Sequence, residues 1–218
     1  MPKDLPKKDF FEEARAKLFE LWQRVSRHIE EGEPPFRVDD EYIQSKIEQI
    51  LQSSTKTYHY VLPTQILAKM VDPSLDSRIV QKKQAGPGAF DARSLNKKVI
   101  VPFDRENYNV LGGAPEPYVN KPLRLEMISS EKTVDQKSKK DWEALVDVLT
   151  WVQDNPELIE TTYLAVLSLI YGRLGSHKIT YSIPNRISLK RTIGLIDSFL
   201  ADVSGGDRFA ALATALLP

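Results

Sequence analysis

The stretch Asp9-Phe-Phe-Glu-Glu-Ala-Arg-Ala-Lys-Leu-Phe-Glu-Leu-Trp-Gln-Arg-Val-Ser-Arg-His-Ile-Glu-Glu31 decides the fold class. Phe10, Ala14, Leu18, Leu21, Trp22, Val25 and Ile29 recur at three- and four-residue spacing, which draws one apolar stripe down a helix and leaves the charges on the other face. Asp9 stands where an N-cap belongs, with Glu12 three residues on, and Gly32 with Pro34-Pro35 stops the pattern.

The same period recurs outward from this helix. Asp39 to Gln52 carries Tyr42, Ile43, Ile47, Ile50 and Leu51, and Asp141 to Asp154 carries Trp142, Leu145, Val148, Leu149 and Val152. Further helices are expected over Pro156 to Leu174, over Ser188 to Val203 with Ser188 as N-cap, and over Asp207 to Leu217. Tyr58 to Met70 is apolar and aromatic with Pro63 inside it, which predicts an extended entry and then a helix from near Pro63. Leu75 to Gln84 reads as a short helix, broken by Ala85-Gly-Pro-Gly88. Over Asp91 to Val101 a helix to Val99 competes with a short strand at Val99-Ile-Val101. Leu111-Gly-Gly-Ala-Pro-Glu-Pro117 is irregular, and Ser129 to Lys140 is a polar linker. The expected fold is mainly α: multi-helical, with a long irregular Pro/Gly-rich basic segment and at most a few short strands. Two parts are expected, 1–128 (N-terminal helices plus the basic segment) and 141–218 (a helical subdomain). The apolar run from Phe209 to Pro218 reads as a truncated C-terminus.

The sequence has no cysteine, which excludes disulfides, thiolate metal sites and a Cys nucleophile. No run of about 18 apolar residues exists and the basic N-terminus leads into acids, so neither a membrane span nor a secretory signal is expected. The natural compartment is the cytoplasm.

Net charge is zero, so overall charge does not argue for nucleic acid, and any such case rests on local clustering together with the side chains interleaved with it. Residues 1–54 hold 9 basic and 12 acidic side chains, and residues 125–218 hold 10 and 12. Between Arg78 and Arg124, nine bases face only Asp91, Asp104, Glu106 and Glu116, a local net of +5. Those bases are interleaved with Asn96, Asn107, Asn109, Asn120, Tyr108 and Tyr118, side chains suited to base edges and phosphates.

Catalytic chemistry is not legible. A restriction-type nuclease needs an Asp and then Glu-X-Lys to hold a divalent metal, and no Glu-X-Lys occurs. Glu13-Ala-Arg15 has the spacing but belongs to the first helix, and Asp135-Gln-Lys137 belongs to the linker. His28, His59 and His177 have no ligand spacing. No Gly-X-Ser-X-Gly and no phosphate-binding Gly-rich loop with its lysine is present. No catalytic and no metal-binding residue is assigned.

Four stretches in order, Tyr60-Val-Leu-Pro-Thr-Gln-Ile-Leu-Ala-Lys69, Phe90-Asp-Ala-Arg-Ser-Leu95, Lys98-Val-Ile-Val-Pro-Phe103 and Leu111-Gly-Gly-Ala-Pro-Glu-Pro-Tyr-Val-Asn-Lys-Pro122, resemble the N-terminal portion of SacI-type (type II) restriction endonucleases. The resemblance is strong over Tyr58 to Arg124. It continues more weakly at Tyr181 to Ile187 and Ser204 to Phe209, and it says little about Met1 to Thr57. It implies a Mg-dependent enzyme that cuts double-stranded DNA at short palindromes, usually as a homodimer, with the nuclease core beyond Pro218. On that basis the chain is expected to be the DNA-recognition portion, with no cofactor of its own and Mg required by the full-length enzyme. Arg93, Arg105 and Arg124 with Asn107 and Asn120 are expected near base edges, and Arg78, Lys82, Lys97, Lys98 and Lys121 near phosphates. The competing readings are an active Mg-dependent nuclease using carboxylates such as Asp91, Asp104, Glu106 and Glu116, and a helical protein-interaction scaffold with no DNA role.

Overall fold

The computed structural model describes residues 8–82, 86–114, 116–119, 123, 125–131, 139–177, 189–201 and 206–216. These residues are mainly α, with no β-sheet among them. The chain divides into one unit over Met1–Lys178 and a second over Ile179–Pro218.

In the first unit the helices are α1 (Lys8–Glu30), α2 (Glu41–Gln52), α3 (Lys56–Val71), α4 (Ala92–Leu95), α5 (Val101–Glu106), α6 (Lys139–Asp154) and α7 (Ile159–His177). The apolar stripe of α1 is buried as its period requires: Ala14, Leu18, Leu21 and Val25 are shielded from solvent. Asp9 lies inside α1, which runs from Lys8. Helix α2 begins two residues later than the period suggests, because the Asp40 carboxylate accepts from the Ile43 N–H at 3.0 Å and caps it. A 3-10 turn over Pro156–Leu158 leads into α7.

Helix α3 corrects the expectation of an extended entry before Pro63. The whole of Lys56–Val71 is helical, and Thr57 through Lys69 are buried, with α1, α2, α6 and α7 packed against them. A helix buried on every face has no amphipathic period to read. Pro63 lacks the N–H that would bond the His59 carbonyl, at a cost of about 3 kcal/mol. Burial of Tyr58, Tyr60, Val61, Leu62, Ile66 and Leu67, at about 1.5–3 kcal/mol per large side chain, outweighs it.

The expected helix over Leu75–Gln84 is absent among the described residues. Asp72 accepts from the Ser74 N–H and hydroxyl, and Asp76 accepts from the Arg78 N–H, so side chains compete with helical hydrogen bonding. Ile79 instead forms an isolated antiparallel bridge with Met127. Gly88 closes this turn at φ +85°, its carbonyl accepting from the Asp76 N–H at 3.0 Å, and a Cβ there would stand 2.9 Å from that nitrogen.

The competition over Asp91–Val101 is settled for helix. Asp91 caps α4 through the Ser94 N–H, and a π-turn over Asn96–Ile100 joins α4 directly to α5. Pro102 lies in the first turn of α5 and cannot donate, so the Lys98 carbonyl loses its α-helical partner. The Arg15 guanidinium of α1 donates to that carbonyl at 3.0 Å instead. Asn96 anchors the π-turn to α3 by donating to Thr64 Oγ1 at 3.0 Å.

The boundary expected near 129–140 does not match the division of the chain. Helix α6 packs on α2 and α3, α7 packs on α1 and α3, and both share their core. In the second unit, α8 (Leu189–Ala201) and α9 (Asp207–Leu216) are paired, and Arg208 donates to the Phe199 carbonyl at 2.9 Å.

Candidate functional site

Charged side chains gather where α4 and the π-turn reach the surface. Arg93 of α4 and Lys97 of the π-turn both meet Glu116, at 3.0 and 3.1 Å. All three are exposed or half-buried, and the two cations hold the Glu116 carboxyl below its ordinary range, Lys97 first. Lys98, the next residue, lies 4.2 Å over the Phe11 ring of α1, and Arg15 stands beside it through its hydrogen bond to the Lys98 carbonyl. Two pairs of cations thus flank the π-turn, Arg93 and Lys97 on Glu116, and Lys98 and Arg15 against α1. Arg15 has no signal in the sequence for this placement, being 83 positions from Lys98.

The remaining expected residues fall elsewhere or in other roles. Arg78 is half-buried and donates twice to Asp76, at 3.0 and 2.8 Å. Burial alone would raise the Asp76 carboxyl, but the Arg78 hydrogen bonds and charge bring it below its ordinary range. Lys82 is half-buried beyond the Ile79–Met127 bridge. Arg105 is exposed in the last turn of α5. The Asn107 side chain donates to the Phe103 carbonyl at 2.8 Å and closes the end of α5. Asn120, Lys121 and Arg124 lie outside the described residues. Of the other side chains interleaved with the bases, Asn96 and Tyr118 are buried, whereas Tyr108 and Asn109 are exposed.

Next to α5 a buried network builds the loop that follows it. Tyr60 of α3 donates to Asp104 Oδ2 at 2.5 Å and accepts from the Ala114 N–H at 2.6 Å. Asp104 accepts from the N–H groups of Leu111 at 2.6 Å and Gly113 at 3.2 Å. Burial first, then the Asp104 carboxylate, pushes the Tyr60 hydroxyl well above its ordinary range. His59 lies beneath: Nε2 faces the Ser53 carbonyl at 3.0 Å, and Nδ1 faces the Leu111 carbonyl at 3.2 Å and Arg173 Nη1 at 3.4 Å. Burial, then the Arg173 charge, lowers the His59 pKa. Each ring nitrogen faces a backbone carbonyl, and the neutral ring that burial and the guanidinium favour can donate to one of them.

The carboxylates considered for a metal do not fit one. Asp91 caps α4, Asp104 is saturated by Tyr60 and backbone N–H groups, Glu116 is paired with two cations, and Glu106 is exposed. A magnesium site asks for oxygens that converge with room for water. No group of three or more potential ligands converges among the described residues.

The first unit is thus a mostly helical module that carries an exposed cation pair on α4 and the π-turn. Residues 13–172 match the family model for the SacI restriction endonuclease N-terminal domain, and the chain belongs to that family. The match takes in α1 and α2, which lie largely in the part of the sequence that carried little resemblance, and it ends before the weaker stretches at Tyr181 to Ile187 and Ser204 to Phe209. The family places the chain's role in a restriction enzyme. No curated protein matches the chain. Among the described residues no helix is long and apolar enough to cross a membrane.

Proposed function

We propose that this chain is the DNA-recognition portion of a type II restriction endonuclease and binds double-stranded DNA through the surface formed by α1, α4 and the π-turn. The observation that carries this reading is the pairing of Arg93 and Lys97 on one carboxylate, within the segment of local net charge +5, next in sequence to Lys98, whose carbonyl Arg15 of α1 reaches. Cations spaced to grip the two oxygens of Glu116 are spaced to grip phosphate oxygens. Arg78, Lys82 and Lys121 are the further phosphate candidates of the basic segment; Arg105, Arg124, Asn107 and Asn120 are the base-edge candidates, and Arg93, expected near a base edge, is assigned to phosphate with Lys97 by their shared contact with Glu116.

Cleavage then falls to carboxylates other than Asp91, Asp104, Glu106 and Glu116, in a nuclease core beyond Pro218 that would use magnesium. A twofold dimer would suit a palindromic site, and the compartment would be the cytoplasm.

Titration of a labelled duplex with the chain across a salt series tests the reading. Affinity should fall steeply with salt. The Arg93→Ala/Lys97→Ala double variant should bind more weakly and lower the slope of log K against log salt by about 1–2. Salt-independent binding, or no binding, overturns it.

A further inference from the structure

Tyr108 and Asn109 are the only non-glycine residues with positive φ among the described residues, at +59° and +56°. Asparagine tolerates this left-handed backbone, but a bulky aromatic residue there is an outlier. Tyrosine normally compensates by burying its ring, yet Tyr108 is 74% exposed. The ring therefore contributes little to the fold while its backbone strains it.

The strain is held in place from beneath. The Asn109 N–H donates to the Asp104 carbonyl at 2.8 Å, and the Gly112 N–H donates to the Asn109 carbonyl at 2.8 Å. The Asp104 carboxylate takes the N–H groups of Leu111 and Gly113, and the Tyr60 hydroxyl takes that of Ala114. Gly112, at φ +116°, lets the Lys56 side chain lie against the loop where a Cβ would stand 2.7 Å from Lys56 Cδ. A loop pinned at five backbone N–H groups, presenting an aromatic ring and an amide to solvent, has the rigidity that a recognition element needs and that a solvated turn does not.

We infer that the Tyr108–Asn109 tip is a sequence-reading element for double-stranded DNA, with the Tyr108 ring packed against bases and the Asn109 amide at a base edge. The inference rests on the proposed DNA-binding role and adds the division of labour within it. Arg93, Lys97 and Lys98 supply charge, which is blind to sequence, while the tip supplies discrimination. An aromatic face offers apolar contact with thymine methyls or a partly unstacked step, and asparagine offers a donor and an acceptor matched to adenine.

The full chain is incubated with a pool of random duplexes and the bound fraction sequenced, for the wild type and for Tyr108→Phe and Tyr108→Gly. Wild type and Tyr108→Phe should enrich the same motif. Tyr108→Gly should lose at least about fivefold of the enrichment at one or more motif positions. Its salt dependence should stay unchanged. Its melting temperature should rise by about 1–3 °C, because glycine relieves the left-handed backbone. This opposite movement of stability and selectivity is not what a structural role would give. Tyr108→Gly with an intact motif, or salt-dependent wild-type binding with no enriched motif, overturns this inference and leaves phosphate binding standing. Absence of any duplex binding by the wild type removes the parent reading and this one together.

Discussion

The Tyr60 hydroxyl donates to Asp104 Oδ2 at 2.5 Å, and the pair takes three backbone N–H groups of the loop after α5. Tyr60→Phe removes one acceptor and one donor from this buried site. It should destabilise the fold by about 1–3 kcal/mol, since the Ala114 N–H and an Asp104 oxygen lose their partner. Chemical denaturation measures the loss, and a stability within experimental error of wild type would show that the network does not hold the loop.

His59 should make the fold less stable in mild acid. Its folded pKa lies below the ordinary histidine value, so the unfolded chain binds the proton more readily. Stability is therefore complete above pH about 6.5 and declines as pH falls through that value. Denaturation midpoints at pH 7.5 and 5.5 should differ in that direction. The difference should shrink in His59→Gln.

Glu116 occupies a position between Arg93 and Lys97 that a phosphate could take. Glu116→Gln should free both cations and tighten duplex binding roughly two- to fivefold at low salt. The gain should fade as salt is raised. Binding titrations at two ionic strengths read this directly, and weaker binding by the variant would mean that Glu116 orients the cations instead of competing for them.

Arg15 and Pro102 should be energetically coupled through the Lys98 carbonyl. Arg15→Ala should cost up to about 1 kcal/mol in the wild type, because the carbonyl loses its donor at the surface. In a Pro102→Ala background the restored N–H can serve that carbonyl, and the same substitution should cost less. A double-mutant cycle measures the coupling, and strict additivity would refute it.

Local periodicity was enough to find the helices that are apolar on one face. Helices α1, α2 and α6 each bury a stripe against the core and leave the rest in solvent, so a local period records them. The sequence also located the breaker at Gly86–Gly88, the irregular chain after Leu111 and the basic segment, all of which depend on neighbouring residues alone. Long-range packing and hydrogen bonding set the rest. Helix α3 is buried all round and carries no period, and Pro63 inside it is outweighed by packing. The turn over Leu75–Gln84 is set by Asp72 and Asp76 side chains and by a bridge to Met127. The site depends on partners 44 and 83 positions apart, Tyr60 with Asp104 and Arg15 with Lys98, and on Glu116 closing over Arg93 and Lys97. Hydrogen bonds and ion pairs act over a few ångströms of space, and distance along the chain does not record which groups the fold brings that close.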